Sequence, residues 1–320
     1  MRRRQFITLI GRAAAAWPIT AFAGDQNKPT LIGYLTPLPL NPNFTQGLQE
    51  LGYVEGRDFE IRYRNSGAPG SLPALAEELV RLKPDVILAG GLDTVVALRN
   101  ATQTIPIVSP TLADAVHIGL IASEARPGGN VTGIEPYVAG LPAKEMELAR
   151  EIVPGASEVG LLTNLSDPKA APQARELEAA GRKLEVDVTS SDANRPEDIE
   201  SALQVLASRR VGVVIVLQSS LLLSNSQQIA ALALAKRLPT IYGYREHVVA
   251  GGLASYGVDL NWCWHRAASF VDKILHGARP GDLPVEFPTK MLLAINLKTA
   301  KALGLTVPSS LVVRADAVIE

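Results

Sequence analysis

The chain has 320 residues, of which 47% are hydrophobic and 20% charged, so it is long enough for two domains and too apolar for disorder. Its 31 basic and 32 acidic residues provide no basic excess that would bind nucleic acid. The one cysteine, Cys263, excludes both an intrachain disulfide and a thiolate metal site. Packing must therefore stabilise the fold.

The first 23 residues, MRRRQFITLIGRAAAAWPITAFA, have the pattern of an export signal that is cleaved after about Ala23. Arg3-Arg4 followed by Gln5-Phe6 resembles the twin-arginine signature, and a general secretory signal is the alternative. Arg12 interrupts the apolar run, so we expect the segment to be removed rather than retained as a membrane anchor. Cleavage removes four arginines and leaves 31 − 4 = 27 basic against 32 acidic groups, a net charge of −5.

From residue 30 onward, short apolar runs alternate with helical patterns, as expected of an α/β protein with parallel sheets. The predicted strands are 30–35, 58–64, 85–90, 105–109, 130–134, 159–164, 185–190, 211–217, 240–244 and 253–257. Apolar residues at three- and four-residue spacing predict helices at 72–83, 143–153, 175–184, 198–210 and 226–238.

Two segments share one outline: LPALAEELVRLKPDVILAGG and DIESALQVLASRRVGVVIVLQSS each combine a helix, a basic turn and a buried strand. Any two βα units could share this outline, but the strand count also favours two similar, Rossmann-like open parallel sheets. We predict lobe 1 at 24–136 plus about 254–284 and lobe 2 at 137–253 plus about 285–320. Hinge crossovers are expected near 134–142, 251–260 and 283–292.

In open parallel sheets, ligands bind beyond the carboxyl ends of the strands, where helix N-termini present unpaired N–H groups. The predicted cleft loops are 35–39, 90–94, 109–116, 163–168, 218–222 and 244–247. If the two lobes face each other, all of these loops line one cleft.

No known catalytic motif is present: the sequence contains no phosphate loop, GxGxxG, HExxH or GxSxG. Its four histidines are scattered and no two have metal-ligand spacing. His247 lies in a predicted cleft loop beside Glu246, but adjacent residues at a strand end point to opposite sides. The sequence therefore predicts neither catalysis, nor a metal, nor a cofactor.

Two aspartates and four tyrosines are the candidate side chains of the cleft. Asp93 and Asp114 are interpreted as helix caps, each of which could also turn an oxygen toward a ligand amine. The tyrosines at strand ends are Tyr34, Tyr242, Tyr244 and Tyr256. Strand alternation predicts that Tyr242 and Tyr244 face the same way, either into the core or toward a ligand.

Several segments, in order, resemble one known family: the export signal, GLQELGYVEGRDFEIRYR, LPALAEELV, RPGGNVTGI, REIVPGA, YREHVVAGGLASYG and the tail from PTKMLLAINLKTAKALG. The chain is similar to ABC-transporter substrate-binding proteins, including those that bind tryptophan and other aromatic amino acids. The resemblance covers essentially the whole chain after the signal. It implies a type I periplasmic-binding-protein fold without catalysis, in which two lobes capture a ligand for a membrane permease.

Family members hold an amino acid's carboxylate with backbone N–H and hydroxyl groups of the cleft loops. Carried onto the matching loops, the resemblance implies these ligand-binding residues: Thr36, Asp93, Thr94, Ser109, Asp114, Asn164, Ser219, Tyr242, Glu246 and Tyr256. Relatives often have Gly-Thr or Gly-Ser where this chain has Gly91-Leu92-Asp93, so Asp93 adds a negative charge that favours a ligand amine.

The predicted function is that of a periplasmic, monomeric solute-binding protein of an ABC importer, whose ligand is an amino acid or aromatic compound. A sensory binding protein for a membrane receptor shares this fold and cleft and is the alternative. An exported α/β hydrolase is a third possibility, which the missing nucleophile motifs disfavour.

Overall fold

The computed structural model describes residues 28–65 and 72–320. The predicted export signal at 1–23 lies outside these residues. Two β-sheets organise the described chain, and each is covered by helices. The predicted α/β fold with two open, mainly parallel sheets is therefore confirmed.

The first sheet contains five parallel strands in the order β2-β1-β3-β4-β5. Its strands are β1 (Thr30–Thr36), β2 (Phe59–Asn65), β3 (Val86–Ala89), β4 (Ile107–Ser109) and β5 (Val131–Gly133). The sequence VILA of β3 is buried along its whole length, as expected of a central strand covered on both faces.

The second sheet has seven strands in the order β12-β11-β10-β9-β8-β6-β7, and only the β10–β11 pair is antiparallel. The strands are β6 (Glu158–Thr163), β7 (Asp187–Asp192), β8 (Val213–Val216), β9 (Thr240–Tyr242), β10 (Ala254–Val258), β11 (Met291–Asn296) and β12 (Ala317–Ile319). Central β8, with the sequence VVIV, is fully buried, whereas the edge strand β7, DVTSSD, is not.

Helices connect the strands and cover both sheets. They are α1 (Pro42–Glu50), α2 (Leu72–Arg81), α3 (Leu92–Ala101), α4 (Leu141–Ile152), α5 (Ala170–Lys183), α6 (Asp198–Ser208), α7 (Ser220–Ser224), α8 (Ser226–Ala235), α9 (Arg245–Val249), α10 (Leu260–Leu275), α11 (Leu297–Leu303) and α12 (Ser309–Arg314), with a 3-10 turn at Pro280–Asp282. No helix follows Asp114, although the sequence predicted one, because the chain turns there with φ +49° at Asp114 and φ +72° at Gly119.

The two similar sequence segments occupy equivalent positions. In the first sheet α2 leads into β3, in the second α6 leads into β8, and each strand lies third when counted from β2 or β7. A basic residue with positive φ, Lys83 or Arg210, makes the turn before each strand. The strand order 2-1-3-4-5 of the first half is thus repeated by β7-β6-β8-β9-β10.

The chain passes between the sheets three times: after β5, between β10 and α10, and before β11. Helix α10 returns to the first lobe and packs on α1, where a Cβ on Gly47 would lie 2.6 Å from the His265 carbonyl oxygen. Glu286 still belongs to the first lobe, since its N–H donates to the Gly133 carbonyl.

One predicted boundary differs from the structure. The sequence assigned 254–284 to lobe 1, but β10 pairs with β9 and β11 in the second sheet. First-lobe structure resumes only at α10, after Asp259 caps that helix by accepting a hydrogen bond from the Asn261 N–H at 3.0 Å. The local pattern identified β10 as a strand, but it contains no information about which sheet the strand joins.

Candidate ligand-binding cleft

The carboxyl ends of the two sheets face each other across a cleft. The first lobe contributes Thr36, Leu38, Gly91, Thr111 and Trp264 to its centre, and the second lobe contributes Lys169, Ser219, Ser220, Leu223 and Tyr244. The central cavity is only about 30 Å³. The lobes are therefore closed on each other, and this space is far too small for an amino acid.

Gly91 lies where the two lobes approach each other closely. Its φ of +96° suits glycine, and a Cβ there would lie 3.0 Å from the Ser220 Oγ atom of the second lobe. The Gly91 N–H donates to the Thr111 Oγ1 atom at 2.9 Å, which orients the loop. A side chain at residue 91 would hold the lobes apart.

Two larger cavities flank the centre, and both are bordered by Ser224 and Asn225 at the end of α7. The first, of about 430 Å³, has an apolar wall of Leu38, Leu223, Leu260 and Trp264 together with the Glu246 carboxylate. The second, of about 510 Å³, is bordered by Gly91, Asp93, Thr94 and Ser220. The cleft thus continues on both sides of its narrow centre.

Lys169 provides the positive charge of the cleft. Among the described residues it is the only lysine or arginine that is buried, and its Nζ lies 3.9 Å from the Asp167 Oδ2 atom. In the first lobe, burial raises the pKa of Glu135. Two partners lower this pKa: the Asp114 N–H, which donates to Glu135 Oε1 at 2.8 Å, and the charge of Lys169. Burial likewise raises the pKa of Asp93. The nearby Asp167 raises this pKa further, and Lys169 lowers it. One ammonium thus lies among carboxylates from both lobes.

An aromatic wall forms the apolar side of the cleft. Trp264 stacks on Tyr34 with ring centroids 5.5 Å apart and an interplanar angle of 11°. Tyr34 is fixed in turn, because its hydroxyl accepts a hydrogen bond from the Asn41 N–H at 3.1 Å. Tyr244 of the second lobe packs into the same apolar cluster. This wall offers flat apolar surface to a ring.

His247 lies behind Tyr244 rather than in the cleft. Its ring stacks on Tyr242 with centroids 4.5 Å apart and is near-parallel to Tyr244 at 6.5 Å. Burial lowers the pKa of His247 to about 4, so the ring is neutral at neutral pH. The three rings connect the second-lobe core to the cleft wall.

Of the ten predicted ligand-binding residues, five border the cleft cavities: Thr36, Asp93, Thr94, Ser219 and Glu246. Thr36 Oγ1 accepts from the Leu38 N–H and Ser219 Oγ accepts from the Leu222 N–H, so both hydroxyls also shape their loops. Asp93 lies in the first turn of α3, whose N-cap is Gly91, so the predicted capping role is wrong.

Three predicted residues lie one layer behind the cleft surface. Ser109 Oγ accepts from the N–H of Thr111, and the Asp114 N–H donates to Glu135, so each supports a residue nearer the cleft. Because no helix begins at Asp114, its predicted capping role is also wrong. Asn164 is buried, and its Oδ1 atom has no hydrogen-bond partner.

The remaining two, Tyr242 and Tyr256, lie away from the cleft cavities. Tyr242 is fully buried in the second-lobe core, and Tyr256 borders a separate groove with Lys144 and Arg314. Tyr242 and Tyr244 join different apolar clusters, because β9 ends at Tyr242 and strand alternation does not continue to Tyr244. The prediction that these two tyrosines face the same way is wrong.

Several residues of the cleft were missed by sequence reasoning, namely Thr111, Glu135, Lys169 and Trp264, while Tyr244 was considered but not chosen. Thr111 lies within a predicted cleft loop, and Lys169 directly follows another. Trp264 gave no local signal, since it reaches the cleft only through the return of α10 to the first lobe.

Within residues 28–65 and 72–320, no group of three or more His, Cys, Asp or Glu side chains could hold a metal ion. No helix in this part of the chain combines the length and the apolar character needed to cross a membrane.

Comparison with known proteins gives one consistent result. The family described as "ABC transporter substrate binding protein" matches residues 41–319. A "Tyrosine-binding protein" of Clostridioides difficile is 28% identical over 265 residues, which are 82% of this chain and 75% of the relative.

Solved structures agree. A conserved domain protein from Vibrio cholerae superposes with a TM-score of 0.83 at 27% identity, covering 91% of this chain and all of that one. An ABC domain in complex with L-Trp from Streptococcus pneumonia superposes with a TM-score of 0.84 at 24% identity, with the same coverage.

Proposed function

The chain belongs to the family of ABC transporter substrate-binding proteins, and from this membership we propose that its cleft captures an aromatic amino acid for an importer. Members of this family bind small molecules and work with ABC permeases, and they are binding proteins rather than enzymes. Family membership alone does not identify the class of ligand.

The observation that carries the proposal is the distribution of charge and apolar surface in the cleft. Lys169 offers one buried ammonium for a ligand carboxylate, and the carboxylates of Asp93, Glu135 and Asp167 around it suit a ligand ammonium. Trp264 and Tyr244 supply an apolar aromatic surface nearby. A zwitterion with an aromatic side chain complements all three features, whereas a simple dianion would meet the carboxylates unfavourably.

The relative named a tyrosine-binding protein supports the same ligand class. L-Tyrosine and the other aromatic amino acids are therefore the ligands to test first. At a dissociation constant of roughly 1 μM, or about −8 kcal/mol, the ligand would be captured and still released to the permease.

Ligand entry requires the lobes to separate, because the central cavity of about 30 Å³ has no room for an amino acid. The proposed motion is a hinge opening about the three crossovers after β5, between β10 and α10, and before β11. Closure around the ligand would bring Gly91 and Ser220 toward each other again and present the surface that the permease recognises.

We place the mature protein in the periplasm as a monomer, exported by the twin-arginine route. The Arg3-Arg4 pair at the start of the chain supports that route.

The test is isothermal titration calorimetry of the mature protein, supported by thermal shift, against the twenty amino acids, simple aromatic acids and sugars. We expect saturable binding of one or more aromatic amino acids and a stability gain of about 2.7 kcal/mol at a hundredfold excess over Kd. Binding of sugars or simple acids without binding of any amino acid would reject the proposed ligand class.

A further inference from the structure

We propose that Glu246 selects, among aromatic amino acids, those whose ring carries a hydrogen-bond donor, such as the phenol O–H of tyrosine. This inference rests on the proposed function, since it concerns which aromatic amino acid the same cleft prefers.

The Glu246 Oε2 atom is a buried acceptor that has no hydrogen-bond partner. Its side chain borders the 430 Å³ cavity, where Leu38, Leu223, Leu260 and Trp264 provide the apolar wall. Oε2 itself is covered in the closed protein, so the carboxylate turns toward the cavity to accept from a ligand. A buried carboxylate oxygen without a donor destabilises the protein, and a ligand that supplies the donor recovers this cost. The cavity therefore combines a surface suited to a ring with one acceptor at its border.

The orientation of the ligand follows from the charges. Lys169, suited to the α-carboxylate, borders the cleft centre, and Asp93, suited to the α-ammonium, borders the cavity on its far side. The 430 Å³ cavity adjoins that centre through Leu38, Leu223, Leu260 and Trp264, which border both spaces. A ligand whose charged end lies near Lys169 extends its ring toward Glu246, so the group that meets Oε2 belongs to the ring.

Tyrosine and phenylalanine differ only in the hydroxyl that this geometry assigns to Glu246. A site that is built to accept a hydrogen bond from a ligand hydroxyl discriminates strongly against the analogue that lacks it, because its acceptor stays unpaired. An ammonium at Glu246 would instead predict equal affinity for the two amino acids. The comparison therefore separates the two orientations.

The experiment is calorimetric titration of the mature wild-type protein and of Glu246→Leu and Glu246→Gln with L-tyrosine and L-phenylalanine. Burial raises the pKa of Glu246, so the titration is carried out at about pH 8, which favours the ionised carboxylate over the protonated one. Glu147→Leu is the matched control, since Glu147 is exposed in the separate groove and pairs with Lys144. Circular dichroism verifies that each variant is folded.

We expect the wild type to bind tyrosine at least about tenfold more tightly than phenylalanine. Glu246→Leu should weaken tyrosine binding by about tenfold or more without weakening phenylalanine binding, and Glu246→Gln, which keeps an acceptor, should lie between. Glu147→Leu should change neither affinity.

Equal affinities for the two amino acids, or equal loss of both in Glu246→Leu, would overturn the assignment of Glu246 to the ring and leave the proposed function intact. Unchanged tyrosine affinity in Glu246→Leu would do the same. If no aromatic amino acid binds to the wild type, the proposed function fails, and the inference about Glu246 fails with it.

Discussion

The first lobe lines the cleft with hydroxyl groups that already have hydrogen-bond partners, whereas the second lobe brings to a cleft cavity the Glu246 side chain, whose Oε2 atom has none. Thr94 Oγ1 donates to the Gly90 and Gly91 carbonyls, and Thr111 Oγ1 accepts from the Gly91 N–H. On the second lobe the atoms without partners include Asn164 Oδ1, Gln218 Oε1, both Glu145 oxygens and Glu246 Oε2.

This difference indicates that the two lobes have different roles in binding. The first lobe is a preorganised wall, held by the Tyr34–Trp264 stack and by the packing of α10 on α1. The second lobe carries the unpaired polar groups, each of which destabilises the protein until a partner arrives. Changes to the aromatic wall of the first lobe should therefore act mainly on stability, and changes to the second-lobe side chains that line the cleft mainly on affinity.

The largest effect is expected on stability, in the first lobe. Trp264 is 2% exposed, and Trp264→Ala should reduce the free energy of unfolding by about 3–5 kcal/mol because it opens a cavity between Tyr34 and the cleft. Trp262, two residues away and 40% exposed, is the matched control and should cost less than about 1 kcal/mol as alanine. Urea denaturation measures both, and similar losses would contradict the role of the stack.

In the second lobe, Lys169→Ala should weaken aromatic amino acid binding by roughly 30- to 300-fold, because it removes the buried partner of the ligand carboxylate. Lys144→Ala is the control, since Lys144 is exposed and pairs with Glu147 at 2.7 Å on another face. Calorimetry measures both affinities. A Lys169→Ala protein that is folded and binds like the wild type would remove Lys169 from the site.

The pH dependence of stability tests one of the unpaired groups of the second lobe, the Glu145 carboxyl. Burial raises its pKa from 4.5 to about 8, against a smaller lowering by the Gln218 side chain. The unfolded chain releases this proton from about pH 4.5 upward, whereas the native protein keeps it to about pH 8, so the carboxyl lowers stability as pH rises through this window.

Glu145→Gln cannot ionise and should exceed the wild type in unfolding free energy by at least about 2 kcal/mol at about pH 8, and by much less at about pH 4.5. His247, whose lowered pKa destabilises the native protein in acid, is present in both proteins and cancels in the difference. Denaturation at both pH values measures the effect. A difference that does not depend on pH would refute the link to ionisation.

The smallest effect is expected where the lobes touch. Gly91→Ala should weaken ligand binding by roughly tenfold, since its Cβ would meet Ser220 Oγ at 3.0 Å and oppose closure. Gly119→Ala is the control: it also has positive φ, at +72°, but no atom lies within 4 Å of its Cβ. Both variants lose some stability, so equal affinities would show that closure does not depend on the contact at Gly91.

Much of the fold could be predicted because burial follows local periodicity. The runs VILA and VVIV were identified as central strands, and the loops after them were identified as cleft loops, because parallel strands end at one edge of a sheet. Thr36, Ser219 and Glu246 were named by carrying the family resemblance onto the predicted cleft loops, and all three border the cleft cavities. Their contact with a ligand remains a prediction.

The sequence by itself determined that the chain forms two sheets of alternating strands and helices, and which loops lie at their carboxyl ends, since both depend on patterns within a few residues of one another. Only the tertiary structure decided that β10 joins the second sheet and that α10 carries Trp264 back to the first lobe. It also decided that Tyr244 belongs to the cleft wall while Tyr242 is buried in the core. These outcomes depend on contacts between segments far apart in the chain, and local periodicity encodes whether a residue is buried but not which distant residue it meets.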